Sequence, residues 1–297
     1  MKTPQNFNFE SYLSKRVKLI ERTIKTALRT HTKNLPPKLR EAMEYALLSG
    51  GKRIRPVLCL AACEAMGGRT KDALSAALAA EVLHTYTLVH DDLPCMDDDD
   101  FRRGKPTVHR KYGEAEAVLV GDALQALAFR LLLDVPQSAL SISQLFLGDG
   151  AMNVIGGQWE DVCSNGILPL TKKNNGKTAA ATIAYVHQFK TAELLMRSAA
   201  MGVFCAGKTL RQAHPIASYA NHLGLAFQII DDILDEPERK AKPKTEREMS
   251  CLDVWTMAQA QQKAEEHTQA ALKELRKIKG NTEPLKALVG FLLKRKI

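Results

Sequence analysis

The sequence predicts an all-α protein, and three observations support this fold class. Apolar residues recur with helical spacing over long segments, among them 73–92, 113–133 and 216–236. No stretch shows the strict alternation of apolar and polar residues that indicates a half-buried strand. No linker rich in Pro, Gly and Ser divides the chain. We therefore expect one helical domain across residues 1–297, which is long enough to enclose a large core.

Individual helices are predicted from composition and from their end signals. Segment 73–92 is rich in Ala and Leu and apolar on nearly every side, which predicts a buried central helix. Pro56 and Pro284 are each placed in the first turn of a helix. Gly280 is the predicted C-cap of the amphipathic segment 251–280. The remaining helices are predicted over 113–133, 185–207, 216–236 and 283–297.

Composition excludes several classes of protein. Lys and Arg number 42 against 33 Asp and Glu, and a net charge of +9 fits an anionic ligand, a membrane surface or a solvated surface. Aromatic residues are few and not interleaved with basic ones, so no nucleic-acid partner is expected. No run approaches ~18 apolar residues and the N-terminus lacks a signal-peptide pattern, so no stable membrane anchor is expected. Six cysteines without a C-x-x-C pair indicate reduced thiols and a cytoplasmic location.

Three acids lie on one turn of the helix predicted over 216–236. Asp231 and Asp235 are spaced i, i+4, and Asp232 lies three residues before Asp235, so the carboxylates share one face. Directly after an apolar run, such acids destabilise a core unless a counter-charge is present. Mg²⁺ is suitable because it binds through one or two carboxylates plus substrate phosphate oxygens. The alternative is a solvated helix end.

Six aspartates fall within the ten positions 91–100. Asp91 and Asp92 end an apolar helix, but Asp97 comes six residues after Asp91 and would point away from it on an unbroken helix. Pro94 lacks an N–H and distorts a helix. A loosened turn is therefore predicted to return Asp97 to the cavity that Asp91 faces. The other three acids are predicted to face solvent or to cap the next element of the chain.

Two basic motifs accompany the acids. Arg102 and Arg103 come directly after the first aspartate cluster, and arginine suits bidentate recognition of phosphate. The motif GGKRIRP offers Lys52, Arg53 and Arg55 after two glycines. Taken alone, it also fits an ordinary basic loop. Acids that hold a metal beside arginines that bind phosphate predict a site for a metal-bound polyphosphate.

Six motifs, in this order, resemble those of the short-chain trans-isoprenyl diphosphate synthases, most closely the bacterial-type farnesyl diphosphate synthases. They are GGKRIRP, EVLHTYTLVHDDLPCMDDDDFRRGKPT, GEAEAVLVGDALQALAF, GGQWED, HQFKTAELL and LGLAFQIIDDILD, and they cover nearly the whole chain. The resemblance implies a single polyprenyl synthetase domain over 1–297. It also implies an antiparallel helical bundle around a central cavity, the isoprenoid synthase fold, and a homodimer.

The resemblance further implies a reaction of isoprenoid biosynthesis. Isopentenyl diphosphate would condense with dimethylallyl or geranyl diphosphate to give farnesyl diphosphate and diphosphate. Mg²⁺ is the implied cofactor, with three ions present when substrate is bound and Mn²⁺ as a substitute. Breaking the allylic C–O bond leaves a carbocation, so a dry apolar cavity would protect it from water. The departing diphosphate is the expected base.

Site residues carry over from the resemblance position by position. The implied metal ligands are Asp91, Asp92, Asp97, Asp231 and Asp235. The residues implied in catalysis are Asp91, Asp92, Asp97, Arg102, Lys190, Asp231 and Asp232. The implied substrate-binding residues are Arg102, Lys190, Thr191 and Gln228 for the allylic substrate, and Lys52, Arg55, His84 and Arg103 for isopentenyl diphosphate.

For some residues near these motifs, a structural role is an alternative to a functional one. Without the motif, His84 on its apolar helix fits an ordinary core histidine. His90, which directly precedes the aspartates, is interpreted as structural. Gln158 and Asp161, in GGQWED, match a family motif near the site without an assigned role.

The resemblance also implies the length of the product, through the residue at the floor of the cavity. Tyr86 lies five residues before Asp91, just over one helical turn deeper. Its bulky ring, with the two extra residues in DDLPCMD, resembles the pattern of enzymes that stop at fifteen carbons. Ten or twenty carbons are the alternatives. Tyr86 also fits an ordinary core residue, and its neighbour Thr87 also bears on the floor.

After DDILD the sequence departs from the family pattern. The charged segment 235–248 is predicted to be a mobile flap. The family has a lysine motif near the position of Met249, which this chain lacks. Lys240, Lys242 or Lys244 is expected to supply the phosphate contact instead.

Three rival functions share parts of this pattern. A metal-dependent phosphohydrolase is suggested by the letters HDD at 90–92, but the other histidines do not fit such a site. A terpene cyclase shares an acid-rich metal site but needs no second basic diphosphate site. A non-catalytic regulatory homologue of the same fold would be expected to have lost some of the aspartates, all of which are intact here.

Overall fold

Helices make up nearly all of the described chain, as the sequence predicts. This computed structural model describes residues 7–135, 150–164, 179–241, 243 and 249–293. Its helices are α1 Phe9–His31, α2 Pro37–Leu48, α3 Ile54–Ala65, α4 Leu74–Asp91, α5 Val108–Tyr112, α6 Glu114–Leu132, α7 Ala151–Ser164, α8 Ala179–Val186, α9 Glu193–Cys205, α10 Leu210–Ala241, α11 Met257–Leu275 and α12 Glu283–Leu293. Short 3₁₀ turns cover Thr70–Ala73 and Cys251–Asp253.

Helix α4 lies at the centre of the bundle. Most of its residues are buried, including an almost continuous run from Ala76 to Leu83. It packs against α3, α6 and α9, which surround it on several sides. Because its sequence is dominated by small Ala and flexible Leu side chains, neighbouring helices can approach it closely on every face. The prediction of a buried central helix over 73–92 is confirmed.

A short β-hairpin comes after the first aspartate cluster, where the sequence predicts no strand. Strand β1, Phe101–Arg102, pairs antiparallel with β2, Lys105–Pro106. Both turn residues have positive φ, 55° at Arg103 and 73° at Gly104, which is the conformation of a type I′ turn. Strands of two residues are too short to show an alternating pattern, so periodicity does not detect them.

The helix predicted over 185–207 begins earlier and is interrupted by a π-helical segment. Helix α8 leads into the π segment His187–Ala192, which continues into α9. A π turn inserts one extra residue and changes which side chains face a given neighbour, and such turns are frequent at functional sites. Lys190 and Thr191 both lie in this segment. Helical periodicity alone does not reveal it.

Helix α10 extends into the segment predicted as a flap, so the predicted start of the flap at 235 is wrong. The helix continues through Pro237 to Ala241. Arg239 holds this last turn in place: its Nε donates to Glu236 at 2.7 Å, and its Nη2 donates to Asp253 at 2.9 Å in the next 3₁₀ turn. The pair between Arg239 and Asp253 connects two separate elements of the chain, so local composition misses it. Lys242 and Lys244 lie outside the described residues.

The predicted C-cap at Gly280 is also wrong. Helix α11 ends at Leu275, and its C-cap is Arg276. Gly280 is required for another reason, because a Cβ placed there would lie 1.8 Å from the backbone oxygen of Ala65. The absence of a side chain lets this loop pass against the end of α3. By contrast, Pro56 and Pro284 lie in the first turns of α3 and α12, as predicted.

No helix within the described ranges combines the length and the apolarity needed to cross a membrane. The main core is built from α1 to α4, α6, α9, the first half of α10 and α12. A smaller apolar cluster lies under the second half of α10 and the start of α11.

Substituting Gly280→Ala should destabilise the protein by about 1–3 kcal/mol, because the added methyl group overlaps the Ala65 carbonyl. Thermal unfolding followed by circular dichroism would measure the change. Lys279→Ala, on the exposed neighbouring residue, is the control and should change stability little. An unchanged melting temperature for Gly280→Ala would show that this loop can move away from α3.

Candidate active site

One large cavity brings together most of the predicted site residues. It has a volume of about 900 Å³ and lies between α4, the β-hairpin, α7, the π segment and α10. The predicted residues that line it are Arg55, His84, Tyr86, Asp91, Asp97, Arg102, Arg103, Lys190, Thr191, Gln228, Asp231 and Asp235. Lys52, Asp92 and Asp232 do not line this cavity.

The first aspartate cluster reaches the cavity through an irregular loop. Helix α4 ends at Asp91, three residues before Pro94, and Asp92 is its C-cap. The backbone N–H of Asp97 returns to the carbonyl of Asp91 at 2.8 Å. This wide turn places Asp97 on the same cavity wall as Asp91. The expectation that the chain loosens here and returns Asp97 to the cavity therefore agrees with the structure.

Asp92 is turned away from the cavity and anchors an arginine. Its side chain is buried and forms an ion pair with Arg102 Nε. Arg102 Nη2 also donates to Asp99 at 3.0 Å. Two carboxylates thus fix the guanidinium of Arg102 at the cavity wall, so this arginine is pre-oriented before any ligand arrives.

Guanidinium groups gather around Glu81 and His84, about two to three turns before the end of α4. Arg53 is buried and donates to Glu81 Oε1 at 2.6 Å, so it serves the fold rather than the cavity. Desolvation at the cavity wall lowers the pKa of His84 well below its usual value, and the charges of Arg55 and Arg103 lower it further. His84 is therefore neutral at pH 7.

The charge of this corner is poorly compensated. Desolvation also lowers the pKa of Arg55 to about 10; Glu81 opposes this change and Arg103 adds to it. The Nε of Arg55 is buried and has no hydrogen-bond partner among the described residues. Clustered guanidinium groups with an unsatisfied donor fit an anionic ligand such as a diphosphate.

The two glycines of GGKRIRP hold Arg103 in this corner. Gly50 and Gly51 have φ of 97° and 123°, which side chains rarely adopt. Arg103 donates to the carbonyl of Gly50. A Cβ on Gly51 would lie 2.6 Å from the Arg103 guanidinium. Lys52 lies outside the cavity, with its ammonium 6.0 Å from the ring centre of Phe291.

A polar network joins the π segment to α10. Lys190 Nζ donates to Asp161 at 2.5 Å, so GGQWED supplies the partner of this lysine. Thr191 donates to Gln228 Oε1 at 2.7 Å, and Gln228 Nε2 donates to Asp232 at 3.1 Å. These bonds fix the side chains that approach the cavity opposite Asp91.

Asp232 points away from the main cavity and is held by two further groups. His187 Nε2 lies 3.1 Å from its Oδ2, and the backbone N–H of Cys251 donates to the same atom at 2.7 Å. Burial favours the neutral acid, but the hydrogen bonds and the charge of His187 lower the pKa of Asp232 overall. This aspartate therefore ties the π segment to the turn at Cys251–Asp253. It lines a smaller neighbouring cavity of about 350 Å³.

Burial disfavours the ionised form of Asp91 in this cavity. Burial raises its pKa from the usual 3.8 to about 7, although Lys190 opposes this shift; Asp97 increases it. Burial acts to lower the pKa of Lys190, but Asp161, Asp91 and Asp97 together raise it. An unneutralised buried carboxylate is the condition that cation binding relieves.

The donor set suits a hard divalent cation. Asp91 and Asp97 face the cavity from one side, and Asp231 and Asp235 line it from α10. Within the described ranges, no three His, Cys, Asp or Glu side chains form a ready-made metal cluster. Carboxylates that are separated in this way fit Mg²⁺, because Mg²⁺ usually takes one or two protein oxygens and completes its shell with water and substrate phosphate.

Comparison with known proteins gives the family. The family model "Polyprenyl synthetase" matches residues 36–289, which is most of the chain. The chain belongs to the polyprenyl synthetase family. A solved structure described as a geranyltransferase from Legionella pneumophila is 30% identical, with a TM-score of 0.83, and the match covers 97% of this chain and 98% of that one. An FPP/GFPP synthase from Zymomonas mobilis is also 30% identical, with a TM-score of 0.77 and coverage of 95% and 99%.

The curated relatives are named for a different product, geranylgeranyl pyrophosphate. Geranylgeranyl pyrophosphate synthase 11, chloroplastic, from Arabidopsis thaliana is 40% identical over 239 residues. A chloroplastic geranylgeranyl pyrophosphate synthase from Capsicum annuum is also 40% identical. These matches cover 78% of this chain, but the chain spans only 62–64% of the length of those relatives.

Several cavity residues of this polyprenyl synthetase family member are missed by sequence reasoning. Ile155, Trp159 and Val162 of α7 form an apolar wall, and Phe227 adds a ring from α10. His90, interpreted as purely structural, lines the cavity as well. The motif GGQWED signalled that α7 lies near the site, but only the packing of α7 against the π segment shows which of its side chains face inward.

Substituting Asp91→Asn should stabilise the metal-free protein at pH 8. With a folded-state pKa of about 7 against the usual 3.8, ionising Asp91 costs on the order of 4 kcal/mol above pH 7. This cost grows as the pH rises from about 4 to 7, because the unfolded chain ionises first. Asparagine carries no charge, so its advantage should be largest at pH 8 and shrink towards pH 4.

The measurement is thermal unfolding in a chelator across this pH range. Asp98→Asn, on an exposed residue of the same loop, is the matched control and should leave stability nearly unchanged. If the metal-free Asp91→Asn protein were less stable than wild type at pH 8, the cost assigned to the buried charge of Asp91 would be contradicted.

Proposed function

We propose that this protein is a Mg²⁺-dependent trans-prenyltransferase that condenses isopentenyl diphosphate with an allylic diphosphate. The observation that carries this proposal is one cavity with acids on two walls, a cluster of arginines at one end and an apolar wall below the acids. Each part has a matching part in the substrates, since both are diphosphates joined to hydrocarbon chains. Family membership supports the reaction type.

Two diphosphate subsites are inferred from the distribution of charge. Asp91, Asp97, Asp231 and Asp235 would hold Mg²⁺ ions that bind the allylic diphosphate, with Arg102 fixed beside them. Bound Mg²⁺, or Mn²⁺ in its place, would neutralise the charge of the departing diphosphate. Asp92 would act by orienting Arg102 rather than as a direct ligand.

The second subsite would take isopentenyl diphosphate. Arg55, His84 and Arg103 line the cavity at its arginine-rich end, and Lys52 lies on the adjoining loop outside it. Because His84 is neutral, it is suited to donate a hydrogen bond to a phosphate oxygen without adding charge. The buried, unpartnered Nε of Arg55 would gain an acceptor on binding.

The remaining polar residues would act on the developing cation. Lys190, held by Asp161, and Thr191, held by Gln228, line the cavity, and we infer that the allylic C–O bond breaks beside them. Their fixed dipoles and charge would stabilise the leaving diphosphate as it separates. Asp232 would support this arrangement through Gln228, since it does not reach the cavity itself. The apolar wall would keep water from the carbocation.

We propose fifteen carbons as the product length. The ring of Tyr86 lines the cavity deeper along α4 than Asp91 and would block a longer chain. The FPP/GFPP synthase from Zymomonas mobilis supports this product by its description. A twenty-carbon product is the second candidate, because the 40% identical relatives are named geranylgeranyl pyrophosphate synthases.

We also propose that two copies associate through α7. Ile155, Trp159 and Val162 line the cavity and yet are 44%, 70% and 36% exposed. Large exposed apolar residues on one helix favour a protein interface. A second copy packed on this face would close the cavity wall against water. A cytoplasmic location is part of the same proposal, and the unpaired cysteines of the described chain support a reducing compartment.

The proposal is tested by supplying isopentenyl diphosphate with dimethylallyl or geranyl diphosphate and analysing products by mass spectrometry, with Mg²⁺ and with chelator. A prenyl product that requires Mg²⁺ is expected. Asp91→Ala and Asp231→Ala should each lower turnover by orders of magnitude while the fold is retained, because the metal loses a ligand. Asp98→Asn is the matched control, because asparagine tolerates the positive φ at this exposed position. Absence of any product from wild type would favour the non-catalytic homologue.

Replacing Tyr86 tests the product length separately. Tyr86→Ala should shift the product from fifteen towards twenty or more carbons, because the ring that blocks the cavity is removed. The ratio of products by mass spectrometry is the measurement. If Tyr86→Ala and wild type give the same product, another residue forms the floor.

A further inference from the structure

The last turn of α4 packs against α6 through the side chain of His90. His90 Nε2 lies 3.0 Å from the backbone oxygen of Val118, so a proton on Nε2 is donated to that carbonyl. The ring occupies the space left by Gly121, since a Cβ on Gly121 would lie 2.0 Å from Nε2 and 2.3 Å from Cδ2. Any side chain at position 121 would therefore displace the imidazole.

Tyr86 lies one turn earlier on α4 and is held by the same face of α6. The rings of Tyr86 and His90 meet edge to face, with centroids 5.8 Å apart and planes at 84°. Burial raises the pKa of the Tyr86 hydroxyl, and the nearby side chain of Gln125 opposes this change. Val118, Gly121 and Gln125 are spaced i, i+3 and i+7, so they form one row on α6 opposite the two rings.

Both rings also line the cavity, so their positions bear on its depth. The Nε2 atom of His90 contacts Val118 and lies 3.9 Å from Asp122 Oδ1, so this edge of the ring faces α6. An edge-to-face neighbour restricts the rotation of an aromatic ring. Without this neighbour, the Tyr86 ring can swing aside.

We propose that His90 is a positioning residue that holds the Tyr86 ring across the cavity, with Gly121 providing its space, and that this pair limits the length of the prenyl chain. The inference rests on the proposed prenyltransferase function. It assigns chain length to a contact between α4 and α6 rather than to the size of one side chain.

The test compares product ratios of wild type, His90→Ala, Tyr86→Ala and the double variant, with the same substrates and Mg²⁺. His90→Ala should raise the ratio of the longer to the shorter product by about tenfold, although Tyr86 is retained. If His90 acts through Tyr86, adding His90→Ala to Tyr86→Ala should give no further shift. A product ratio in His90→Ala equal to that of wild type would overturn the proposal.

Two further variants separate this role from general loss of packing. Val89→Ala removes a buried side chain from the same turn of α4 without touching the main cavity, and should leave the product ratio unchanged. Gly121→Ala should shift the product in the same direction as His90→Ala, because the displaced imidazole loses its contact with the Tyr86 ring. A Val89→Ala shift as large as that of His90→Ala would count against the proposal.

A crystal structure of metal-free His90→Ala tests the contact without any activity. The Tyr86 ring should leave its wild-type position, and a ring that stays in place would overturn the positioning role. An inactive wild-type protein would instead defeat the proposed function, so the two failures are distinguishable.

Discussion

The structure depends on holding charged groups of like sign together in a partly buried cavity. Acids occupy the walls near the end of α4, and the guanidinium groups of Arg55 and Arg103, from α3 and the hairpin turn, line the cavity beside His84 of the same helix. Where opposite charges meet, as in Arg102 with Asp92 and Arg53 with Glu81, the pairs lie in the wall and orient its parts. Two groups that line the cavity, Asp91 and Arg55, are costly to ionise without a ligand, because burial removes their charges from water. The proposed metal-bound diphosphate would supply both missing charges at once.

Elements with irregular geometry bring these groups together. The wide turn after Asp91 returns Asp97 to the cavity, and the tight hairpin turn at Arg103 directs that arginine against Gly50 and Gly51. The π segment places Lys190 where Asp161 can hold it. Regular helices supply the frame, while departures from regularity position the polar groups that line the cavity. This division arises because a functional site needs side-chain directions that a uniform helix does not give.

The small neighbouring cavity connects the site to the end of α10. Asp232 accepts hydrogen bonds from Gln228 and from the backbone of Cys251, and it contacts His187. Arg239 joins the same turn to α10 through Asp253. Motion of the chain between α10 and this turn would therefore be transmitted to Gln228 and Thr191. The second aspartate motif thus contributes both to the main cavity, through Asp231 and Asp235, and to the packing behind it.

The sequence by itself determined the helical class, the buried helix over 73–92 and the acid and arginine motifs, because helical periodicity and charge spacing are local properties. It also indicated that Asp97 returns to Asp91, since Pro94 breaks the intervening helix. Tertiary structure alone decided that Asp92 and Asp232 face away from the cavity, that Gly280 serves a close contact rather than a cap, and that His90 lines the cavity. These features depend on atoms from distant segments, such as Arg102, the Ala65 carbonyl and Gly121. No local pattern encodes them, because each is a property of two surfaces in contact.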